Sequence, residues 1–144
     1  DDPGVGGGVT DRIREWRRDS DWQGSVVAFS GGSTDNIGND HLNLRAYAYW
    51  QARLLIQSGK LYVSDTHEMW GQLTGIKYRY TDNGKLRIEK KDEMKKRGVK
   101  SPDEADALVL AIHGMLKTKK RKIYDTEENS SMFHAPTLQT AAGW

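Results

Sequence analysis

The stretch Ser101-Pro102-Asp103-Glu104-Ala105-Asp106-Ala107-Leu108-Val109-Leu110-Ala111-Ile112 reads as one helix carrying two aspartates. Ser101 is a favoured N-cap, Pro102 suits the first helical position, and Glu104 stands three residues after the cap, where a capping box places it. From Ala105 onward small and apolar residues fall on nearly every face, which predicts a helix packed on several sides. Asp103 and Asp106, spaced i, i+3, project from one side of the first turns and can both reach one cation or one phosphate. Acids at a helix N-terminus also complement the macrodipole, the alternative reason for Asp103 and Glu104. Asp106 is different. Between Ala105 and Ala107, just ahead of the apolar run, its ionised carboxylate requires a metal or a base as partner.

Working upstream, Lys90-Lys91-Asp92-Glu93-Met94-Lys95-Lys96-Arg97-Gly98 reads as a short basic helix stopped by Gly98. Before it, Ile76-Lys77-Tyr78-Arg79-Tyr80 and Lys85-Leu86-Arg87-Ile88-Glu89 alternate around Thr81-Asp82-Asn83-Gly84, a β-hairpin with an Asn-Gly turn. One hairpin face is apolar; the other carries Lys77, Arg79, Lys85 and Arg87. Together with Lys90, Lys91, Lys95, Lys96 and Arg97 these are candidate contacts to a nucleic-acid backbone, with a solvated charged face as the alternative. Bases beside acids are the pattern of a phosphodiester-cleavage site, where bases hold the backbone and acids hold metals.

Further back, Leu44, Tyr47, Ala48, Leu54 and Leu55 recur at helical spacing from Leu42 to about Gln57, and Ser58-Gly59 closes the element. Its aromatics Tyr47, Tyr49 and Trp50 are expected in core and rim packing. Leu61-Tyr62-Val63 is a brief extended segment, and a short helix is expected from Asp65 to about Leu73, capped by Asp65 or Thr66. Ser25-Val26-Val27-Ala28-Phe29 reads as a buried strand, followed by an irregular loop over residues 30–40. The opening Asp1-Asp2-Pro3-Gly4-Val5-Gly6-Gly7-Gly8-Val9-Thr10-Asp11 reads as acid, glycine loop, then a helix through Arg12–Arg18. The loop lacks the Gly-Lys-Ser/Thr ending of a nucleotide P-loop, and Val9 stands where a dinucleotide fingerprint has its last glycine, so both nucleotide readings are rejected. Beyond Leu116 a basic run, Lys117 to Lys122, leads into polar sequence without periodicity. A flexible tail over residues 117–144 is expected, with Ile123, Tyr124, Met132 and Phe133 available for docking.

A chain of 144 residues supports one domain, here residues 1–116. It contains no cysteine, which excludes disulfides and thiolate metal sites, fits a reducing compartment and leaves oxygen or histidine to hold any metal. His41, His67, His113 and His134 are scattered and are read as surface or packing residues. No apolar run approaches the roughly eighteen residues of a membrane span and no basic-then-apolar leader opens the chain, so a soluble protein is expected. It begins with Asp1, as an excised domain or processed product would. The net charge of +2 hides an asymmetry: residues 1–75 hold seven Lys/Arg against ten Asp/Glu, and residues 76–144 hold fifteen against ten.

Three segments together resemble the nuclease domain of the large terminase subunit of tailed bacteriophages, within the RNase H-like nuclease superfamily. They are Asp1-x-x-Gly4-x-Gly6-x-Gly8-Val9-x-Asp11, the hairpin with Ile88-Glu89-x-Lys91-Asp92-x-Met94-Lys95-x-Arg97-Gly98, and Ser101-Pro102-Asp103-x-Ala105-Asp106-Ala107-Leu108. They span about residues 1–113. The resemblance implies an α/β, RNase H-like fold lacking its first core strands, with an added basic β-hairpin. It implies a metal-dependent endonuclease that cuts concatemeric double-stranded viral DNA during genome packaging by a two-metal mechanism, its two Mg²⁺ or Mn²⁺ ions roughly 3.5–4 Å apart.

Carried over by position, Asp1 and Asp106 are the catalytic metal ligands, Asp103 is an auxiliary ligand, and Asp2 replaces Asp1 if the register slips by one. The family's first catalytic acid lies on a strand upstream of the Asp1 block. Implied partners are the terminase ATPase domain, the small terminase subunit and the portal, with the host cytoplasm as the setting, outside the mature virion. No Walker A sequence occurs in this chain. Two rivals stand beside this reading. One is a PD-(D/E)xK nuclease using Asp82 with Glu89-Lys90-Lys91, although Asp82 is already explained by its turn. The other is a non-catalytic DNA-binding or packaging-interaction module relying on the basic hairpin and tail.

Overall fold

The computed structural model describes residues 5–63 and 67–118. In chain order it contains helices α1 (Val5–Asp19), α2 (Leu44–Gln57) and α3 (His67–Gly75), strands β1 (Tyr78–Tyr80) and β2 (Leu86–Ile88), then helices α4 (Lys91–Lys96) and α5 (Asp103–Lys117). The two antiparallel strands form the sheet of the described residues, a mixed architecture of helices with one small hairpin.

The centre is the contact of α2 with α5. Ala48, Tyr49 and Ala52 of α2 pack on Val109 and Ile112 of α5, and Phe29, Leu55, Leu61, Ile76, Ile88 and Leu108 close around them. Alanines at Ala46, Ala48, Ala52 and Ala105, each no more than 2% exposed, leave no long side chain between the helices and allow close approach. Helix α2 begins at Asn43, whose side chain accepts from the Ala46 N–H at 3.0 Å. It ends at Ser58, with Gly59 at φ +67° turning the chain away.

The hairpin forms in the register Tyr78 to Ile88, Arg79 to Arg87 and Tyr80 to Leu86. Its turn closes through the Gly84 N–H donating to the Thr81 carbonyl at 2.8 Å, with Gly84 at φ +73°. The outer side of β2 is also satisfied: Leu86 donates to Asp40 at 2.7 Å and accepts from Leu42 at 2.8 Å, which ties the irregular loop to the hairpin.

Three local expectations are corrected. Ser25–Phe29 is not a strand: among the described residues no other strand lies alongside to take its backbone groups, and Phe29 packs the segment against the core. The segment Val5–Gly8 is helical rather than a glycine loop, continuous with Val9–Asp19, where Arg12–Glu15 and Arg14–Asp11 pairs at 3.1 and 3.2 Å lie at helical spacing. Ser101 is not the cap of α5. Pro102 occupies that position, and the Ser101 hydroxyl donates instead to Asp103 at 2.6 Å. The Asp1–Gly4 block, the expected Asp65 or Thr66 cap and the tail from residue 119 lie outside the described residues.

The capping of α5 comes from another helix. Gln72 of α3 accepts from the Glu104 and Ala105 N–H groups at 2.9 and 3.1 Å, satisfying two of the donors that a helix start leaves open. Gln72→Ala is therefore expected to cost about 0.5–2 kcal/mol, the range of a lost N-cap, measured by urea denaturation. An unchanged midpoint would show that this contact contributes nothing.

Candidate functional site

Asp106 stands in the first turn of α5, half-buried, with cations and a phenol from two other helices around it. Tyr49 of α2 donates to Oδ1 at 2.6 Å, and Lys91 at the start of α4 places its ammonium 2.9 Å from Oδ2. Arg45, one turn before Tyr49, reaches Oδ1 at 3.4 Å with one guanidinium nitrogen and donates to the Glu89 carbonyl at 2.9 Å with another. The guanidinium also lies 5.0 Å above the Tyr49 ring. Asp103 is exposed beside this group, and the Lys91 ammonium is 3.6 Å from it, so one cation faces both acids.

These residues floor a cleft of about 430 Å³, whose wall includes Arg45, Arg87, Lys90, Lys91 and Phe29, and Asp106 is the acid among its lining residues. Burial raises the Asp106 pKa, but the hydrogen bonds from Tyr49 and Lys91 and the Arg45 charge outweigh it and hold the carboxyl below its ordinary range. Tyr49 is pushed well above its ordinary value, first by burial and then by donating to the Asp106 carboxylate. It therefore stays a protonated donor.

The nine basic residues singled out by the sequence divide into two sets. Arg79 and Arg87 face each other across the hairpin, a like-charge pair. Glu93 of α4 relieves it, accepting from Arg87 at 2.7 Å on both oxygens while lying 3.6 Å from Arg79. Arg97 forms a two-pronged pair with Glu89 at 2.6 and 2.7 Å and also donates to the Gly75 carbonyl at 3.0 Å, joining the ends of β2, α3 and α4. Among the described residues Lys77, Lys85, Lys90, Lys95 and Lys96 are in no ion pair; Lys77, Lys90, Lys95 and Lys96 are exposed, and Lys85 is partly so. Asp82 is exposed in the hairpin turn and Glu89 is held by Arg97, so the PD-(D/E)xK combination is not assembled.

Asp1 and Asp2 lie outside the described residues, so Asp103 and Asp106 are the expected acids that the structure places. Among the described residues no three His, Asp or Glu side chains form a metal cage. Arg45 and Tyr49 were missed in the sequence. Their only signal was an arginine placed four residues before a tyrosine within an otherwise apolar helical stripe. His41 and His113 are buried, as the packing reading expects.

Acid should weaken this fold in two stages. His113 packs edge-on against Phe29, ring centroids 5.2 Å apart, and burial first and the Lys117 charge second lower its pKa from the ordinary 6.5. The unfolded chain therefore takes up that proton first, and stability declines as pH falls below 6.5. Asp106 contributes stabilisation that is complete above its ordinary 3.8 and is lost as pH falls through its lower folded value. Glu89 and Glu93 are held low in the same way, the first chiefly by Arg97 and the second by the Lys90 N–H and then Arg87. A thermal midpoint followed from pH 7 to pH 3 is expected to show both stages, with Asp106→Asn shrinking the second and sparing the first. A flat midpoint between the two stages would rule out the His113 contribution.

No family model matches the chain, and no curated protein matches it. Among solved structures it is similar to a mutant nuclease domain of the large terminase subunit gp2 of bacterial virus Sf6 with manganese and beta-thujaplicinol, at TM-score 0.50 and 24% identity over 78% of this chain and 63% of that one. The same mutant domain with manganese gives TM-score 0.49 at 24% identity, again covering 78% and 63%. With calcium it gives TM-score 0.49 at 24% identity, covering 78% and 62%. This chain thus spans less than two thirds of the domains it matches, and at this identity the likeness is one of fold.

Proposed function

We propose that this chain is part of a metal-dependent DNA endonuclease domain of the phage large-terminase kind, RNase H-like in fold, with Asp106 at its centre. The observation that carries the reading is the single Lys91 ammonium, 2.9 Å from Asp106 and 3.6 Å from Asp103: two carboxylates approach one cation position, Asp106 from the lining of a basic cleft and Asp103 from outside it. The likeness of fold to terminase nuclease domains, solved with manganese or calcium, supports it.

Paired aspartate oxygens fit a hard divalent cation such as Mg²⁺ or Mn²⁺. The described residues suffice for one shared position, and a second ion calls for a further acid, the proposed role of Asp1. When bound, the ions would supply an activated water and stabilisation of the leaving oxygen. The protein's own part is positional. Tyr49 and Arg45 fix the Asp106 carboxylate through Oδ1, and Lys91 meets Oδ2 on the Asp103 side. Lys91 neutralises the acid pair and, on its flexible stem, can also face a phosphate. Lys77, Lys85, Lys90, Lys95 and Lys96 supply the solvent-facing charge for the DNA backbone, while Arg79, Arg87 and Arg97 combine that role with holding the hairpin and α4 together.

The proposal extends to cutting of concatemeric viral DNA at packaging, in the host cytoplasm, beside the ATPase domain, small subunit and portal, with residues 1–116 as the nuclease portion and 117–144 as a tail. A second reading, a non-catalytic DNA-binding module, is favoured by the fact that Lys91 itself fills the cation position between the acids.

Nicking of supercoiled plasmid by the whole chain separates the two. Conversion that needs Mn²⁺ or Mg²⁺ and stops in EDTA is expected. DNA that is retarded in a gel yet uncut in every metal would sink the enzyme and leave the binding module.

A further inference from the structure

A second pocket of about 430 Å³ lies between α2, α3 and the hairpin, lined by Trp50, Arg53, Gln57, Trp70, Thr74 and Tyr78 among others. The pleat turns Tyr78 and Tyr80 away from the face that carries Arg79 and Arg87. Trp50 meets Tyr78 edge-on with centroids 5.6 Å apart, and Tyr80 continues the row 6.4 Å from Tyr78. Tyr78 is 47% and Tyr80 61% exposed, an unusual amount of aromatic surface to leave in water.

The row is not merely greasy. The Arg53 guanidinium lies 4.6 Å from the Trp50 ring and 5.4 Å from that of Tyr78, and it has no carboxylate partner among the described residues. No acid lines the pocket. Among the described residues the Gln57 amide makes no hydrogen bond within the chain, which leaves donors and an acceptor for an incoming polar edge. Flat aromatic faces, an uncompensated guanidinium and a spare amide suit a ligand that is planar, aromatic and anionic.

We infer that this aromatic row and its pocket bind unpaired nucleotides of a DNA strand, bases stacking on Tyr78 and Tyr80 and a phosphate facing Arg53. Paired DNA presents only its edges and backbone, so the rings can stack only on bases outside a duplex. That the strand is DNA rests on the nuclease reading; the stacking itself requires neither Asp103, Asp106 nor Lys91.

The test is fluorescence anisotropy of a labelled oligo-dT and of a duplex of equal length with the whole chain in EDTA. Wild type is expected to bind oligo-dT. Tyr78→Ala and Tyr80→Ala are each expected to weaken it about 5- to 150-fold, the worth of one stacked base, with little change for the duplex. Tyr80→Phe should retain binding, and the exposure of Tyr80 keeps its alanine variant free of core disruption. Absence of oligo-dT binding by wild type, or binding undiminished from wild type in both alanine variants, overturns the inference. Because EDTA removes the metal and neither alanine variant touches Asp103, Asp106 or Lys91, a chain that cuts DNA yet ignores oligo-dT fails this inference alone.

Discussion

Met94→Ala is expected to lower the unfolding free energy by about 2–5 kcal/mol, the cost of emptying a well-packed methionine site. Met94 is 1% exposed and is the buried residue of α4, a helix of six residues that is too short to persist without tertiary support. It shares a groove with Gln72, Val99 and Pro102, so it holds α4 beside α3 and the start of α5. Lys91 lies three residues earlier on the same helix. Loosening α4 should therefore also free the Lys91 ammonium from Asp106, joining a packing defect to the site. Urea denaturation followed by circular dichroism measures the loss, and Met94→Leu, which nearly conserves volume, should cost less than about 1.5 kcal/mol. A loss below about 1 kcal/mol for the alanine variant would mean that α4 is not anchored through this residue.

Asp106→Asn is expected to reduce metal-dependent nicking at least ~100-fold, since a metal's contribution of several kcal/mol corresponds to two or more powers of ten in rate. Asparagine keeps the size of the side chain and an oxygen that can still accept from Tyr49, so the fold should survive. The missing charge leaves Lys91 and Arg45 uncompensated in the cleft. Duplex affinity at low salt should consequently hold or rise while cutting is lost, and initial rates with gel-shift affinities record both. A variant that still nicks at the wild-type rate would remove Asp106 from the chemistry.

Much of this molecule was legible because its signals are local. The stop at Ser58-Gly59, the Gly98 stop with φ +73°, the alternation of the hairpin and the apolar run of α5 each act within a few residues, and each matches an observed element. Strand formation at Ser25–Phe29 was misjudged because composition records β-propensity and cannot record whether a neighbouring strand exists to pair with. The true cap of α5 was hidden for a related reason. Gln72 lies 32 residues before the Glu104 N–H that it satisfies, and Ser101 looked sufficient on its own.

The candidate site was half legible. Asp106 declared itself as a charge flanked by alanines, and the requirement for a basic or metal partner followed from that burial. Which partner fills it at rest is a tertiary matter, decided by α2 bringing Arg45 and Tyr49 alongside α5 and by α4 aiming Lys91 at it. The basic surface was legible in kind and not in detail. Alternation put Arg79 and Arg87 on one face, but only the fold shows that Glu93 binds them into a structural pair.

The central claim is that Asp106 belongs to a divalent-cation site. Calorimetric titration of Mn²⁺ into the whole chain and into Asp106→Asn tests it most directly. Saturable heat from wild type that vanishes in the variant is the predicted result. Equal heats in both, or none from wild type, would contradict it, leaving Asp106 as the counter-charge of Lys91 and Arg45.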